Sequence, residues 1–359
     1  MSFDPNAPAS PDSGIFGLEP DLSRARVILI PVPFEATTSY GGGTSHGPQT
    51  ILTASRQVDL FDVQVGRPYE HGIALLPEDP QLPLWNQEAK ALAQEVIAAG
   101  GAHPDAEALL HATQQVNTYS TRVNAWVEQE TLRWLESRRV VGVIGGDHST
   151  PFGAIAAHVQ HYPELGILHF DAHADLRNAY EGFTWSHASI MHNVMTRLPQ
   201  VQKLVQVGIR DLCEEELDFI EESEGRIVTF FDALVQARKH EGTPFRSLAE
   251  EIVEHLPRDV YVSFDIDGLD PFYCPHTGTP VPGGLHFTEA VTIFDTLVAS
   301  GRRIVGFDIN EVAPGPDGDE WDGNVAARLL YKLIGYTLLS RGIGRRPRIA
   351  WPAPPTQEV

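Results

Sequence analysis

The sequence predicts an α/β fold built on a mainly parallel sheet. Short runs such as VVGVI at 140–144 and LGILHF at 165–170 are apolar on both faces, as strands buried between two helical layers must be. Amphipathic stretches separate these runs, so the chain reads as a repeated β-α unit, the pattern that gives parallel pairing.

The elements follow in order. Residues 1–24 are proline-rich and carry Asp4 and Asp12; they are expected to form a flexible tail. VILIP at 27–31 supplies the first strand. Residues 84–138 break the rhythm: they hold no convincing strand, while 87–99 and 112–137 read as helices, the second bearing Trp126 and Trp134. The GAHPD segment at 101–105 is the expected turn between them, and the pair is read as a helical elaboration packed on the sheet. Strands at 140–144, 165–170, 204–209, 227–231, 260–266 and 304–309 then alternate with helices at 151–161, 187–198, 214–222, 245–256, 288–300 and 324–340. With no internal repeat or long linker, 25–345 is read as a single domain and 346–359 as a C-terminal tail.

Composition narrows the function. Of 359 residues, 42% are hydrophobic and 21% charged, which suits a folded globular protein. Twenty-six Lys and Arg against 48 Asp and Glu leave a formal charge of -22, which repels phosphate backbones and anionic membranes. Small cations and metal ions are the natural partners; nucleic acid and membrane are not. Two cysteines, Cys213 and Cys274, make no disulfide framework, and the first residues lack the basic and apolar parts of a signal peptide. A cytoplasmic protein is expected.

Four strand ends finish in ligand-type residues: Asp147-His148, Asp171-Ala172-His173-Ala174-Asp175, Asp265-Ile266-Asp267 and Asp308-Ile309-Asn310-Glu311. In a parallel sheet the carboxyl ends share one edge, so these distant segments should meet in one crevice. Residues i and i+2 of an extended chain point the same way, about 6–7 Å apart, so Asp171 with His173, and Asp265 with Asp267, can address one centre. Carboxylates and imidazoles favour Mn²⁺ or Mg²⁺ over a thiolate-type zinc site. His148, Asp171, His173, Asp175, Asp265 and Asp267 are more ligands than one ion takes while keeping an open position. Two ions about 3.5–4 Å apart, bridged by carboxylates, suit the number and would neutralise the four acids. A single Asp-x-Asp at a strand end is ordinarily a cap or solvated turn; four clusters on four strand ends are harder to dismiss.

Five motifs in order carry a resemblance: GGDHST at 145–150, HFDAHADLR at 169–177, SFDIDGLDP at 263–271, TGTPVPGGL at 277–285 and FDINEV at 307–312. They resemble the ureohydrolase family of arginases and agmatinases, over residues 27–339. The resemblance implies a three-layer, arginase-like α/β/α fold, a binuclear Mn²⁺ centre and hydrolysis of a guanidinium group to release urea. By motif position, His148, Asp171, Asp175 and Asp265 would hold one ion. His173, Asp171, Asp265 and Asp267 would hold the other, with Asp171 and Asp265 bridging. A bridging water, its pKa lowered to about 7, would attack the guanidinium carbon as hydroxide. Glu311 matches the family's guanidinium-binding Glu, and a carboxylate fits the planar donor fork. His187 falls at the proton-shuttling His, where an imidazole can protonate the leaving amine; its plainer reading is a helix cap. Thr279 falls at a Thr that supports the metal site, or fills a turn. Relatives assemble as trimers or hexamers, so a homo-oligomer is implied.

Substrate choice turns on the loop after Asp175. Arginases grip an amino-acid head there with Asn and Ser donors, and only Asn178 matches that pattern. Tyr180, Phe183 and Trp185 can wall a pocket that encloses a compact cation, or can simply pack the loop. The Cys274-Pro275-His276-Thr277 variant and the 318–324 stretch resemble the agmatinase branch that includes guanidine hydrolases, whose pattern admits Ni²⁺. Free guanidine and agmatine are therefore the leading substrates. Alternatives are 4-guanidinobutyrate, a deacetylase-like hydrolase with one zinc, and a non-catalytic metal-binding protein; no GxGxxG follows the first strand to support a dehydrogenase. His192 is read as packing, His158 and His161 as helix-surface residues, Cys274 as an inert loop thiol and 317–322 as a solvated turn.

Overall fold

The computed structural model describes residues 4–102 and 105–349. Among the described residues eight strands are present: β1 Val27–Val32, β2 Ile73–Leu75, β3 Val140–Gly145, β4 Leu165–Phe170, β5 Val201–Val207, β6 Ile227–Phe230, β7 Asp259–Asp265 and β8 Arg303–Asn310. They form one sheet in the order β2-β1-β3-β8-β7-β4-β5-β6, and every pairing is parallel. All residues of β1, β3 and β4 are buried, which explains their uninterrupted apolar runs.

Ten α-helices among the described residues cover the sheet: α1 Gly47–Ser55, α2 Gln81–Ala98, α3 Glu107–Glu136, α4 Phe152–His161, α5 Ile190–Arg197, α6 Glu214–Glu222, α7 Asp232–His240, α8 Phe245–Glu254, α9 Phe287–Ala299 and α10 Trp321–Ser340. Helices α1, α8, α9 and α10 bury their apolar sides against one face, and α2 to α6 lie over the other, giving three layers. Lys239–Glu289 and Arg238–Glu251 ion pairs tie α7 to α9 and α8. The long α3 buries Val116, Val123, Val127 and Leu135 at helical spacing, so it and α2 form part of the second layer. Its close approach to α4 depends on Gly153, where a Cβ would stand 2.1 Å from the Asn124 carbonyl oxygen.

Three elements lay outside the expectation from sequence. Strand β2 has three residues on the sheet edge, too few to show a period, and α1 and α7 are nine-residue helices in segments rich in Gly, Pro or polar residues. The start of the chain also departs from a flexible tail. Ile15 and Phe16 are buried, the Phe16 N–H donates to Ser55 Oγ at 2.9 Å, and the Phe16 ring meets Tyr331 edge-on at 4.9 Å. Burying two such side chains contributes roughly 1.5–3 kcal/mol each, enough to outweigh a Pro-rich composition. Residues 1–3 of that tail, 103 and 104 of the expected turn, and 350–359 of the C-terminal tail lie outside the described residues. No helix among the described residues is long and apolar enough to cross a membrane.

Candidate metal centre

Strands β3, β8, β7 and β4 are consecutive in the sheet, so the four polar strand ends stand side by side at its carboxyl edge. That register delivers each side chain. Beyond β3, His148 reaches across the edge: its Nδ1 lies 3.0 Å from Asp171 Oδ2, 3.3 Å from Asp175 Oδ2 and 3.3 Å from Asp265 Oδ2. Its Nε2 lies 3.0 Å from Ser263 Oγ, which donates to Asp308 Oδ1 at 2.9 Å, so the ring is held from behind. His169 Nε2 approaches the same Asp171 oxygen at 2.9 Å, and His173 Nδ1 sits 3.1 Å from Asp267 Oδ2. Backbone amides aim the acids: Ala172 N–H donates to Asp267 Oδ1 at 2.9 Å and Asp267 N–H to Asp265 Oδ1 at 2.8 Å.

Among the described residues two groups can each hold an ion. His148, His169, Asp171 and Asp175 offer ligand atoms within 4.8 Å of one another, as do Asp171, His173 and Asp267; Asp171 belongs to both. Asp265 stands against the first group through His148. Asp175 adopts a left-handed backbone conformation (φ 55°), uncommon outside glycine, which turns its carboxylate inward.

The electrostatics fit divalent cations. Burial, then the charge of Asp171, pushes Asp175 up to about 8. Burial and the neighbouring Asp267 and Asp171 carry Asp265 well above the usual carboxylate range. Burial alone would raise Asp171, but contacts with His148, His169 and His173 outweigh it and hold it well below that range. Burial disfavours charge on His173, yet Asp267 and Asp171 lift it to about 12. Acids this close need positive charge among them, and hard carboxylate oxygens with imidazole nitrogens are the donors a pair of divalent ions takes.

Glu311 lies just beyond β8 with φ 62°, its N–H donating to the Gly146 carbonyl at 2.8 Å. Oε1 accepts the His148 N–H at 2.9 Å, whereas Oε2 is buried without a hydrogen-bond partner among the described residues. Burial, then the charge of Asp147, pushes this carboxyl well above its ordinary range. A buried acceptor left open is costly unless a donor fills it.

A cavity of about 300 Å³ opens in front of the cluster, between His173, His187, Tyr180, Arg177, Asp211 and Thr279. His187 follows Ser186, whose Oγ caps the turn at the Ala188 N–H; burial, then the charge of His173, holds its ring down to about 4. Thr279 Oγ1 is 3.5 Å from Asp267 Oδ2. The expected aromatic enclosure is not formed. Phe183 is fully buried in the core, and Trp185 packs on Phe152 at 4.8 Å beneath the Arg197 guanidinium, lining no part of the cavity. Tyr180 does line it, with the Arg177 guanidinium 5.1 Å from its ring centroid. Asn178 is exposed and outside the cavity.

Other readings also change. His158 is buried rather than on a helix surface, with Nδ1 2.7 Å from the Ala154 carbonyl oxygen. Asp322 is buried against His276 rather than lying in a solvated turn. His169 was missed, although it precedes Asp171 by the same two-residue spacing that singled out His173. Ser263 carried no such signal, and Asp308, although it stands in one of the four strand-end clusters, carried none for its place behind His148, since both contacts depend on strand order.

Residues 25–335 match the family model described as the arginase family. The chain is 33% identical over 321 residues to an N(1)-aminopropylagmatine ureohydrolase of Thermus thermophilus, covering 89% of this chain and 92% of that one. It is 26% identical over 315 residues to an agmatinase of Bacillus subtilis, covering 88% and 93%. The crystal structure of an arginase from Bacillus subtilis superposes with a TM-score of 0.60 at 23% identity, over 86% of this chain and 98% of that one, which shows a shared fold.

Proposed function

The chain belongs to the arginase family, and from that premise we propose that it hydrolyses an agmatine-like guanidino compound to urea and an amine, using Glu311 as the guanidinium partner and His187 as the proton shuttle. It is a metal-dependent ureohydrolase acting on a linear amidine. The observation that carries the finer reading is the open oxygen of Glu311, buried beside a double cluster of metal ligands.

We assign one ion to His148, Asp171, Asp175 and Asp265 and the other to His173, Asp171, Asp265 and Asp267, with Mn²⁺ as first choice and Ni²⁺ as second. When bound, the ions neutralise the acids and bring the pKa of a water to about 7. Glu311 Oε2 accepts a guanidinium N–H and fixes the plane of the group, presenting its carbon to the cluster. With Oε1 already held by the His148 amide, Glu311 is oriented before substrate arrives. His187, which burial keeps largely neutral at pH 7, relays a proton to the departing amine after its ring has taken one from the attacking water. Thr279 supports Asp267 at the cavity wall.

An aminoalkyl tail accounts for the remaining space. Asp211 lines the cavity with an exposed carboxylate that has no ion-pair partner among the described residues, so it can receive an ammonium group. The same acid disfavours the anionic tail of 4-guanidinobutyrate. Free guanidine is the second reading, favoured by Arg177, whose cation stands in the same cavity and repels a cationic tail. Urea release from guanidine, methylguanidine, agmatine, 4-guanidinobutyrate and arginine, with Mn²⁺ or Ni²⁺ loaded, tests the choice. Agmatine should dominate; a dominant guanidine signal replaces it with the second reading, and silence on every substrate refutes both.

A further inference from the structure

We propose that His276 and Asp322 are positioning residues that hold the 274–281 loop as one wall of the guanidinium pocket. Asp322 stands in the first turn of α10 and is fully buried. Its carboxylate grips a single residue of the loop twice: Oδ2 accepts the His276 backbone N–H at 3.0 Å, and Oδ1 accepts from His276 Nδ1 at 2.8 Å. A two-point grip fixes both the position and the direction of the chain leaving it, whereas one hydrogen bond would leave it free to pivot.

The next three residues run along the site. Thr277 Oγ1 donates to the Glu311 carbonyl oxygen at 2.8 Å, tying the loop to the backbone of the acid it faces. Gly278 lies beside the open carboxylate oxygen: a Cβ there would stand 3.1 Å from Glu311 Oε2. Its carbonyl accepts the Gly41 N–H at 3.0 Å, and a Cβ on Gly41 would stand 2.4 Å from that carbonyl oxygen, so the two loops meet backbone to backbone. Thr279 then reaches Asp267. Among the described residues, neither His276 nor Asp322 has a hydrogen bond or ion pair to a metal-site side chain, so their effect passes through this loop. If the grip is lost, Gly278 is free to withdraw from Oε2, and the wall that would hold a flat guanidinium against that oxygen is lost.

The inference rests on Glu311 as the guanidinium partner, and its test separates the two. In the metal-loaded enzyme, His276→Ala should raise KM for the best guanidino substrate about tenfold, with kcat within about threefold and metal content unchanged. His276→Asn, whose Nδ2 can stand in for Nδ1, should restore KM to within about threefold of wild type. Asp322→Asn serves as the second variant. Hydrogen exchange of the 274–281 segment reads the grip without turnover: it should quicken at least tenfold in His276→Ala and recover in His276→Asn. Unchanged exchange overturns the proposal whatever the activity of the wild type. Faster exchange with wild-type KM, or a loss confined to kcat or to metal content, overturns the positioning role. Absence of urea release from the wild type counts instead against the assigned reaction.

Discussion

The His148 backbone N–H donates to Glu311 Oε1 at 2.9 Å, joining the loop after β3 to the end of β8 and leaving the second Glu311 oxygen open. One residue thus joins two parts of the site: its side chain stands among the candidate metal ligands and its amide aims the acid proposed to meet the guanidinium. Glu311→Gln keeps the size and the acceptor but removes the charge. A hydrogen bond to a charged group is worth about 1.5–3 kcal/mol, so kcat/KM should fall roughly 10- to 100-fold, mainly through KM. Metal content, measured in the same preparation, should not change; unaltered kinetics would remove Glu311 from the pocket.

His187 has a different expected mark. Its ring lines the cavity next to His173, and burial is the main cause that holds it down to about 4. His187→Asn should lower kcat about 10²- to 10⁴-fold with little change in KM, because proton relay acts in the transition state. Added imidazole should recover part of the rate. A residue that only packs the turn capped by Ser186 would lose stability instead, with no response to imidazole.

Asp211 should separate substrates that differ only in their tails. Asp211→Asn should raise KM for agmatine several-fold and leave guanidine unaffected. Equal effects on both would show that the acid acts on the cluster and not on the tail.

His158 sets a pH dependence of stability far from the site. Burial is the main cause that holds it down to about 4, against 6.5 for the free side chain. Between pH 6.5 and 4 the unfolded chain takes up a proton that the folded chain refuses. The folded state is therefore favoured fully above 6.5 and loses up to about 3 kcal/mol, on an order-of-magnitude scale, as the pH falls through that window. Urea unfolding of His158→Gln across pH 4–7 should show a shallower loss than wild type, even if the variant is less stable at pH 7. Parallel profiles would rule out this source.

The strand ends could be read from the sequence because both of their signals are local: a continuous apolar run, then alternating ligand residues. Asp171 and His173 stand two residues apart on one strand end, and this survives into the structure as contacts to a common centre. What depended on neighbours was not legible. That β8 lies between β3 and β7 places Asp308 against Ser263 and so behind His148, and nothing in any single segment announces it. Trp185 shows the opposite failure. Its position after Asp175 suggested a pocket wall, but Phe152 and Arg197 offer its ring an apolar face and a cation on the far side of the loop. The buried Ile15 and Phe16 were hidden by their Pro-rich surroundings, since composition averages over the two residues that matter.

Counting metal ions in the active enzyme tests the central assignment most directly. Element analysis of the wild type and of Asp265→Ala, with urea release measured before and after chelation, should give two divalent ions per wild-type chain. Chelation should abolish release, and Mn²⁺ or Ni²⁺ should restore it. Asp265→Ala should hold one ion or none and be inactive. Two ions and full activity in Asp265→Ala would contradict its bridging role, and urea release from metal-free wild type would contradict the account as a whole.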